Sequence, residues 1–271
     1  MLMKLRHYTV TSVTGLVLVA LAAFAWAHHC LAKVRDQRNL ITELEQVPCR
    51  LKFHDDRYVA PVWLQKLQFD EPLRCVKVVE FDFEDHPDVT TSHIRSLACF
   101  SQLEGLRSQV TGLTGEGLAS LQGLKYLTEL DVCSCPLSQA GFRNIARLNN
   151  LTSLNICDTK ATDNEMSLIA TLYKLETLAV SGRELTDKGV ATLSVLGRLR
   201  HLSFHGQPIT DEALRHIGRL SRLESLDLMK TDIDGSGLHY LSGLRNLKTL
   251  KLGGTRVSDR ELHQLSRGRG L

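Results

Sequence analysis

The sequence predicts an α/β fold in which short repeats stack into a right-handed solenoid, with a curved parallel sheet on one side and one helix per repeat on the other. Three observations predict this architecture. A leucine recurs every 24 residues, the apolar spacing inside each repeat changes from two residues to three, and a run of 20 uncharged residues near the N-terminus predicts a transmembrane helix before the repeats.

The first half of each repeat has the spacing of a strand. Counting the recurring leucine as position 0, position 3 is also leucine, and position 5 is apolar with Ser108 as the one exception. Residues two apart lie on the same face of a strand, so these positions predict a short strand facing the core. The period continues without insertion or deletion through Leu103, Leu127, Leu151, Leu175, Leu199, Leu223, Leu247 and Leu271.

The second half of each repeat has helical spacing. Apolar residues recur at positions 15, 18 and 21, as in Leu214, Ile217 and Leu220, and lie on one stripe of a helix. An aspartate often stands at position 12, where the positive end of the helix favours it. Position 11 carries a Thr or Ser that can cap the helix, or Asp234 in one repeat. These residues are Thr114, Ser138, Thr162, Thr186, Thr210 and Ser258.

An eighth, degenerate repeat precedes Leu103. Its strand and helix stripe are predicted at Phe81, Phe83, Ile94, Leu97 and Phe100. One unit cannot fold alone, because ordering its backbone costs about 1–2 kcal/mol per residue and its few apolar side chains return less. Stacked units share one core. The repeat domain is therefore predicted at residues 76–271, as one degenerate and seven regular units.

The N-terminus is predicted to reach a membrane. Residues 8–27 carry no charge and match the ~20 residues that cross a bilayer, with Tyr8 and Trp26 at the two ends. We therefore predict an anchor within residues 1–27 and a single-pass membrane protein. The alternative is a signal peptide cleaved after Ala27, which would leave an exported protein, periplasmic or secreted.

Two segments connect this anchor to the repeats. Residues 28–48 are predicted to form a juxtamembrane helix or stalk that ends at Pro48, and residues 49–75 to form an N-terminal cap. The cap contains a short strand at "CRLKFHDD" and a short helix at "PVWLQKLQ", which carries Trp63. A first repeat needs such a cover because its apolar face has no preceding unit.

Two units carry a sequence signature beyond their apolar spacing. "LTSLNICDTKATDNEMSLIATLYK" and "LESLDLMKTDIDGSGLHYLSGLRN" resemble leucine-rich repeats of the L-x-x-L-x-L-x-x-T-x-I-T-D-x-G-L kind. The resemblance covers Val76 to Leu271. The whole layout is similar to that of bacterial single-pass, membrane-anchored leucine-rich-repeat proteins. The resemblance implies a leucine-rich-repeat solenoid and protein recognition, and it identifies no partner.

The concave face of the sheet is the predicted binding surface. Positions 2, 4 and 6 of each repeat point out of this face, because side chains alternate along a strand. Acidic residues are frequent in its N-terminal half, whereas histidines and a lysine occur in its C-terminal half. The candidate residues are Glu129, Asp131, Cys133, Asn155, Cys157, Asp158, His201, His205, Asp227, Met229 and Lys251.

No residue is predicted to be catalytic, to bind a metal or to hold a cofactor. Cys133 and Cys157 should be neighbours on adjacent strands, but His201 and His205 are two strands further on, about 10 Å away and too far for a shared zinc. A redox-sensitive thiol pair is the alternative. His201, His205 and Asp227 could be drawn as a catalytic cluster, yet an open strand face offers no pocket for one.

The predicted function is a non-enzymatic, membrane-tethered scaffold that recognises a protein partner. One alternative is an adaptor, or substrate-recognition subunit, for a separate enzyme. Another is a solenoid that binds lipid or polyanion through the arginines of its later repeats. The net charge of +3, from 33 basic and 30 acidic residues, gives no reason to expect nucleic acid. Dimerisation through the last strand is left open.

Overall fold

The computed structural model of the chain describes residues 13–45, 49–58, 74–81, 90–109 and 113–262. Five predicted features lie outside these residues: the anchor before residue 13, Pro48, the cap helix at "PVWLQKLQ", Phe83 and Leu271. The described strands form one sheet in chain order, and the helices connect successive strands.

Nine strands make up the sheet. The first, β1 (Cys49–Tyr58), pairs antiparallel with β2 (Arg74–Phe81) at the N-terminal edge. From β2 onward every pairing is parallel, as strands joined by helical crossovers require. The remaining strands are β3 (Gly105–Ser108), β4 (Glu129–Asp131), β5 (Ser153–Asn155), β6 (Thr177–Ala179), β7 (His201–Ser203), β8 (Ser225–Asp227) and β9 (Thr249–Lys251).

The 24-residue period fixes the register of the parallel strands. The position-3 leucines pair with one another at every step from Leu106 on β3 to Leu250 on β9. From Leu103 to Leu226 the leucines at positions 0 and 3 are at most 3% exposed, so they form the continuous core that the sequence predicts. Burial weakens only in the last unit, where Leu250 is half-buried.

The first helix precedes the sheet, and the other helices lie between successive strands. They are α1 (Val13–Leu44), α2 (Thr91–Ser96), α3 (Gln139–Ile145), α4 (Asp163–Ile169), α5 (Asp187–Thr192) and α6 (Asp211–Ile217). Two repeats depart from the prediction, because they carry 3-10 helices at Glu116–Gly123 and Leu238–Gly243 instead of α-helices. Both have glycine at position 12, and Gly115 (φ +88°) and Gly235 (φ +96°) adopt left-handed backbone that displaces the helix start.

Aspartates at position 12 cap the helix of the following repeat. The Asp163 carboxylate accepts hydrogen bonds from the Thr186 N–H (2.8 Å), the Thr186 hydroxyl (2.7 Å) and the Gly189 N–H (3.1 Å). Asp187 accepts the equivalent two bonds from Thr210 (2.8 and 2.7 Å). The sequence predicts these aspartates to favour their own helix, but it does not show that they also join adjacent repeats.

Asp211 extends this series by one junction. Its carboxylate accepts hydrogen bonds from the amides of Asp234 (2.8 Å), Gly235 (3.1 Å) and Gly237 (2.6 Å). A carboxylate that accepts several backbone N–H groups satisfies donors that would otherwise be left unpaired at a helix start. Three successive junctions are therefore cross-linked by one aspartate each.

The second half of α1 packs on the first repeat. Val34, Leu40 and Leu44 are buried, and the Gln37 Nε2 donates a hydrogen bond to the Cys99 carbonyl (2.6 Å). Residues 34–44 therefore cover the N-terminal core together with β1. Within the predicted stalk, this half of α1 is attached to the domain.

The first half of α1 projects away from the repeats. Leu21, Phe24, Trp26 and Leu31 are exposed. The helix runs through residue 27 without a break. Across the part of the chain that the structure describes, no helix has the length and apolar content needed to span a bilayer.

We predict that the junction aspartates are a main source of coupling between repeats. Asp211→Ala should lower the free energy of unfolding by about 2–3 kcal/mol, because it leaves three backbone donors without their acceptor. The measurement is urea unfolding followed by circular dichroism. The matched control is Asp259→Ala, at the same repeat position but with no side-chain hydrogen bond within the described residues. Equal losses in both variants would contradict the capping role.

Candidate functional site

The open sheet face is formed by positions 2, 4 and 6 of β4 to β9, on the side of the sheet without helices. At position 4, the Asp131 Oδ1 accepts a hydrogen bond from the Cys133 N–H (3.0 Å), and the Asn155 Oδ1 accepts one from the Cys157 N–H (3.1 Å). The Asn155 Nδ2 also donates to the Asp131 Oδ2 (3.1 Å). These predicted site residues are therefore neighbours, and their amide and carboxylate groups are held in place by the strand ends.

The same arrangement recurs near the C-terminal end of the face. The Asp227 Oδ1 accepts a hydrogen bond from the Met229 N–H (3.1 Å), and its Oδ2 is paired with the Lys251 ammonium (3.2 Å). Asp227 and Met229 are half-buried and Lys251 is exposed. Of the predicted residues on this half, His201 is exposed and forms no side-chain hydrogen bond or ion pair with the described residues.

A charge network crosses the N-terminal strands. The Arg107 guanidinium is paired with Glu80 (2.7 Å) and Glu129 (2.6 Å), and the Lys52 ammonium is paired with Glu80 (2.8 Å). The hydrogen bond from Lys52 lowers the pKa of Glu80, and that between Arg107 and Glu129 raises the pKa of Arg107. The predicted acidic patch is therefore neutralised at Glu129. The sequence places Arg107 at position 4 of its repeat, on the sheet face. Its ion pairs were not predicted because Glu80 and Glu129 lie on two other strands.

The two neighbouring cysteines are not activated thiols. Burial raises the pKa of Cys157 to about 11 and also raises the pKa of Cys133. Cys135 points into the core, where its Sγ donates to the Ser108 carbonyl (3.2 Å). Among the described residues, no group of three or more His, Cys, Asp or Glu side chains is placed to hold a metal ion.

A groove of about 730 Å³ opens at the C-terminal ends of β5 to β8. It contains two of the predicted site residues, Asp158 and His205. The other eight lining residues were not among the predicted site residues: Ser181, Gly182, Arg183, Gly206, Gln207, Pro208, Lys230 and Asp232.

The groove follows the turn that ends each strand. Position 7 adopts left-handed backbone in every repeat from β4 to β9, which favours glycine there. Three non-glycine residues occupy this position, and Asp158 (φ +54°) and Lys230 (φ +56°) are the two that line the groove. The Asp158 Oδ1 accepts a hydrogen bond from the Ser181 hydroxyl (3.1 Å). These turns place side chains from successive repeats next to one another.

Two successive repeats at the groove lack the threonine that closes this turn in three other repeats, and the β4 repeat has Cys135 at the same position. Thr159, Thr231 and Thr255 at position 8 each donate a hydroxyl hydrogen bond to the position-5 carbonyl of their own repeat (2.6–2.7 Å). Arg183 and Gln207 replace this threonine in the repeats of β6 and β7. This departure from the repeat pattern was the sequence signal that could have located the groove.

Gln207 leaves a donor unsatisfied at the floor of the groove. Its side chain is only 1% exposed, and its Oε1 accepts a hydrogen bond from the Leu185 N–H (3.2 Å). That bond fixes the orientation of the amide, because the N–H requires an oxygen. The Nε2 therefore points away from Leu185, and no acceptor contacts it within the described residues. A buried donor without a partner costs about 1–3 kcal/mol.

We predict that Cys157 reacts slowly with alkylating reagents. With a pKa of about 11 its thiolate is scarce at pH 7.5, so labelling by iodoacetamide should be roughly 100-fold slower than that of N-acetylcysteine. The rate should rise about tenfold per pH unit until the pH approaches that pKa. Site-resolved mass spectrometry measures it, with denatured protein as the control. Labelling of the folded protein at the rate of N-acetylcysteine would show that the thiol is not protected.

Comparison with known proteins supports the fold. Neither a protein-family model nor a curated protein sequence matches the chain significantly. A crystal structure of internalin C2 from Listeria monocytogenes is 26% identical, with a TM-score of 0.52, and the match covers 70% of this chain and 77% of that one. The plant peptide hormone receptor RGFR1 in complex with RGF2 is 20% identical, with a TM-score of 0.42, over 66% of this chain and 28% of the receptor.

The repeat pattern, the strand register and the internalin match agree with one another. Each position-3 leucine is paired with its equivalent in the next repeat, and the parallel sheet with intervening helices continues through every described unit. The similarity to internalin C2 extends over most of both chains. The chain therefore folds as a leucine-rich-repeat solenoid.

Proposed function

We propose that this protein is a recognition scaffold that binds a protein partner through the open sheet face and the adjoining groove. The support for this is the fixed geometry of the surface. Asp131, Asn155 and Asp227 are tied to backbone amides two residues further on, so their side chains lose little freedom when a partner binds. A surface that is ordered before binding favours recognition for this reason.

The groove is the observation that carries the proposal. A concave site with convergent polar groups is the usual form of a binding site. Here it contains the unsatisfied Gln207 donor, together with three basic side chains at Arg183, His205 and Lys230. Side chains contributed by successive repeats are what a stack of units provides for recognition.

The alternative functions receive less support from the described residues. Two of the arginines considered for polyanion binding are neutralised, since Arg200 is paired with Glu224 (2.8 Å) and Arg256 with Asp232 (3.1 Å). An adaptor would use the same surface to recognise its substrate. It would also need a second surface that binds the enzyme, and none is identified among the described residues.

We further propose that residues 8–27 attach the protein to a membrane, with export after cleavage as the alternative. The exposed Leu21, Phe24 and Trp26 on the projecting part of α1 support an apolar environment for this segment. N-terminal sequencing of the native protein separates the two. We expect an intact N-terminus, and a mature protein that begins at His28 would overturn the anchor in favour of export.

The scaffold proposal predicts that partner capture depends on the open face. When the photoreactive amino acid p-benzoylphenylalanine replaces Ser203, it should crosslink a protein in native cells. When it replaces Arg215, on the exposed surface of α6, it should not. Introducing negative charge at two exposed face residues, in the variant His201→Glu with Lys251→Glu, should reduce recovery about tenfold, ~1.4 kcal/mol of binding.

The control for this experiment is Arg215→Glu, which changes the same kind of charge on the helical side. Circular dichroism shows that each variant retains its fold. Crosslinks from Arg215 in place of Ser203, or an equal loss of recovery in the control variant, would contradict binding through the sheet face.

A further inference from the structure

Three unpaired basic side chains converge on the groove. Arg183, His205 and Lys230 come from three successive repeats, at positions 8, 6 and 7. Arg183 and Lys230 are exposed, and His205 is half-buried. None of the three side chains forms a hydrogen bond or an ion pair with another of the described residues. Basic side chains held near one another and not paired with carboxylates favour an anionic ligand.

The two carboxylates of the groove already have partners. The Asp158 Oδ1 accepts the Ser181 hydroxyl (3.1 Å), and the Asp232 Oδ1 is paired with the Arg256 guanidinium (3.1 Å). The Arg256 guanidinium neutralises Asp232, whereas the Ser181 hydroxyl is uncharged and leaves Asp158 with its negative charge, so Arg183 and Lys230 together exceed the carboxylate charge by one. The local balance is therefore positive, although the open face as a whole carries both signs.

Gln207 adds a neutral donor to this positive groove. Its Nε2 lies beneath Gly182, where an added Cβ would be 3.8 Å from the nitrogen. The nitrogen is closed to water in the free protein, so a ligand oxygen reaches it only when the Gly182 backbone moves aside. Gly182 (φ +132°) has backbone that L side chains rarely adopt, which explains glycine at this place.

We infer that the groove binds an acidic peptide segment of the partner, a conclusion that rests on the proposed function and specifies the partner's chemistry. Carboxylate side chains of the segment pair with Arg183 and Lys230, and a main-chain carbonyl accepts from the Gln207 Nε2. Charge-assisted hydrogen bonds of this kind are the stronger ones in proteins. The buried donor gains its missing partner in the complex.

A peptide fits the groove better than a continuous polyanion. Asp158 lies within the groove without a cationic partner among the described residues and would repel the continuous, closely spaced charges of a nucleic acid or sulfated polysaccharide. A peptide carries carboxylates on separate side chains, and its backbone N–H groups can donate to Asp158. The mixture of donors and acceptors in the groove therefore matches a polypeptide.

The test uses the full chain and two synthetic probes, acetyl-Asp-Gly-Asp-Gly amide and its counterpart with asparagine in place of aspartate, in calorimetric titrations at low and physiological salt. We expect the aspartate probe to bind and the asparagine probe not to bind. Arg183→Glu with Lys230→Glu should weaken it at least tenfold, and Gln207→Leu should weaken it several-fold. The control is Arg198→Glu with Arg222→Glu, two exposed arginines at the opposite ends of the strands, which should change the affinity less than twofold.

Equal affinity for both probes would overturn the inference, as would an equal loss of probe affinity in the control variant. A third contrary result is displacement of the aspartate probe by inorganic triphosphate at a concentration below the dissociation constant of the probe. The last would assign the groove to polyanions. Failure of the probe while Ser203 still crosslinks a partner would overturn this inference alone. Loss of the crosslinks with probe binding intact would instead remove the sheet-face proposal and leave the groove assignment standing.

Discussion

The constant length of the repeat is the constraint on which the structure depends. Because no unit from Leu103 onward gains or loses a residue, each strand residue lies beside its equivalents in the neighbouring units. Insertion or deletion of one residue in a strand would turn its core leucines toward water, since side chains alternate along a strand. The same constraint aligns the polar residues of the sheet face. It thus determines both the core and the surface available for recognition.

The capping aspartates add a second, polar connection to this apolar stack. Apolar burial holds neighbouring units together without direction, whereas the hydrogen bonds of Asp163, Asp187 and Asp211 set where each next helix begins. The two kinds of contact lie on different sides of the repeat. The leucines pack inside the stack, and the aspartates act at the helix starts.

Much of this fold could be predicted from the sequence because it follows local rules. The leucine spacing gave the strand register, and the threonines at position 11 gave the start of α4, α5 and α6. The sequence did not predict the 3-10 helices that follow Gly115 and Gly235. The helix start was predicted from the aspartate that usually stands at position 12, and the left-handed conformation of glycine at that position was not considered. Helical spacing predicts a helix over residues 28–48, but it does not identify the first repeat as the unit on which residues 34–44 pack.

The candidate site could be predicted less well, because its properties arise between repeats. Arg107 on β3 neutralises Glu129 on the adjacent strand β4, and the Gln207 Nε2 is a buried donor without an acceptor among the described residues. Neither feature can be read from the spacing of residues in the sequence. The predicted surface residues are nevertheless placed on the sheet face or its edge, as alternation along a strand requires. Side-chain pairing between units therefore decides which of them remain available to a partner.

The glycines and aspartates at position 12 also divide the array mechanically. Carboxylates bridge the three junctions between the repeats that begin at Leu151 and Leu223, while Gly115, Gln139 and Gly235 provide no such bridge to the units that follow them. Four repeats thus form a carboxylate-linked block, whereas the junction after Gly115 is joined by the Asn144 amide, which donates to the Gly115 carbonyl. The groove at β5 to β8 lies wholly inside that block, so flexing of the array would leave its shape largely unchanged.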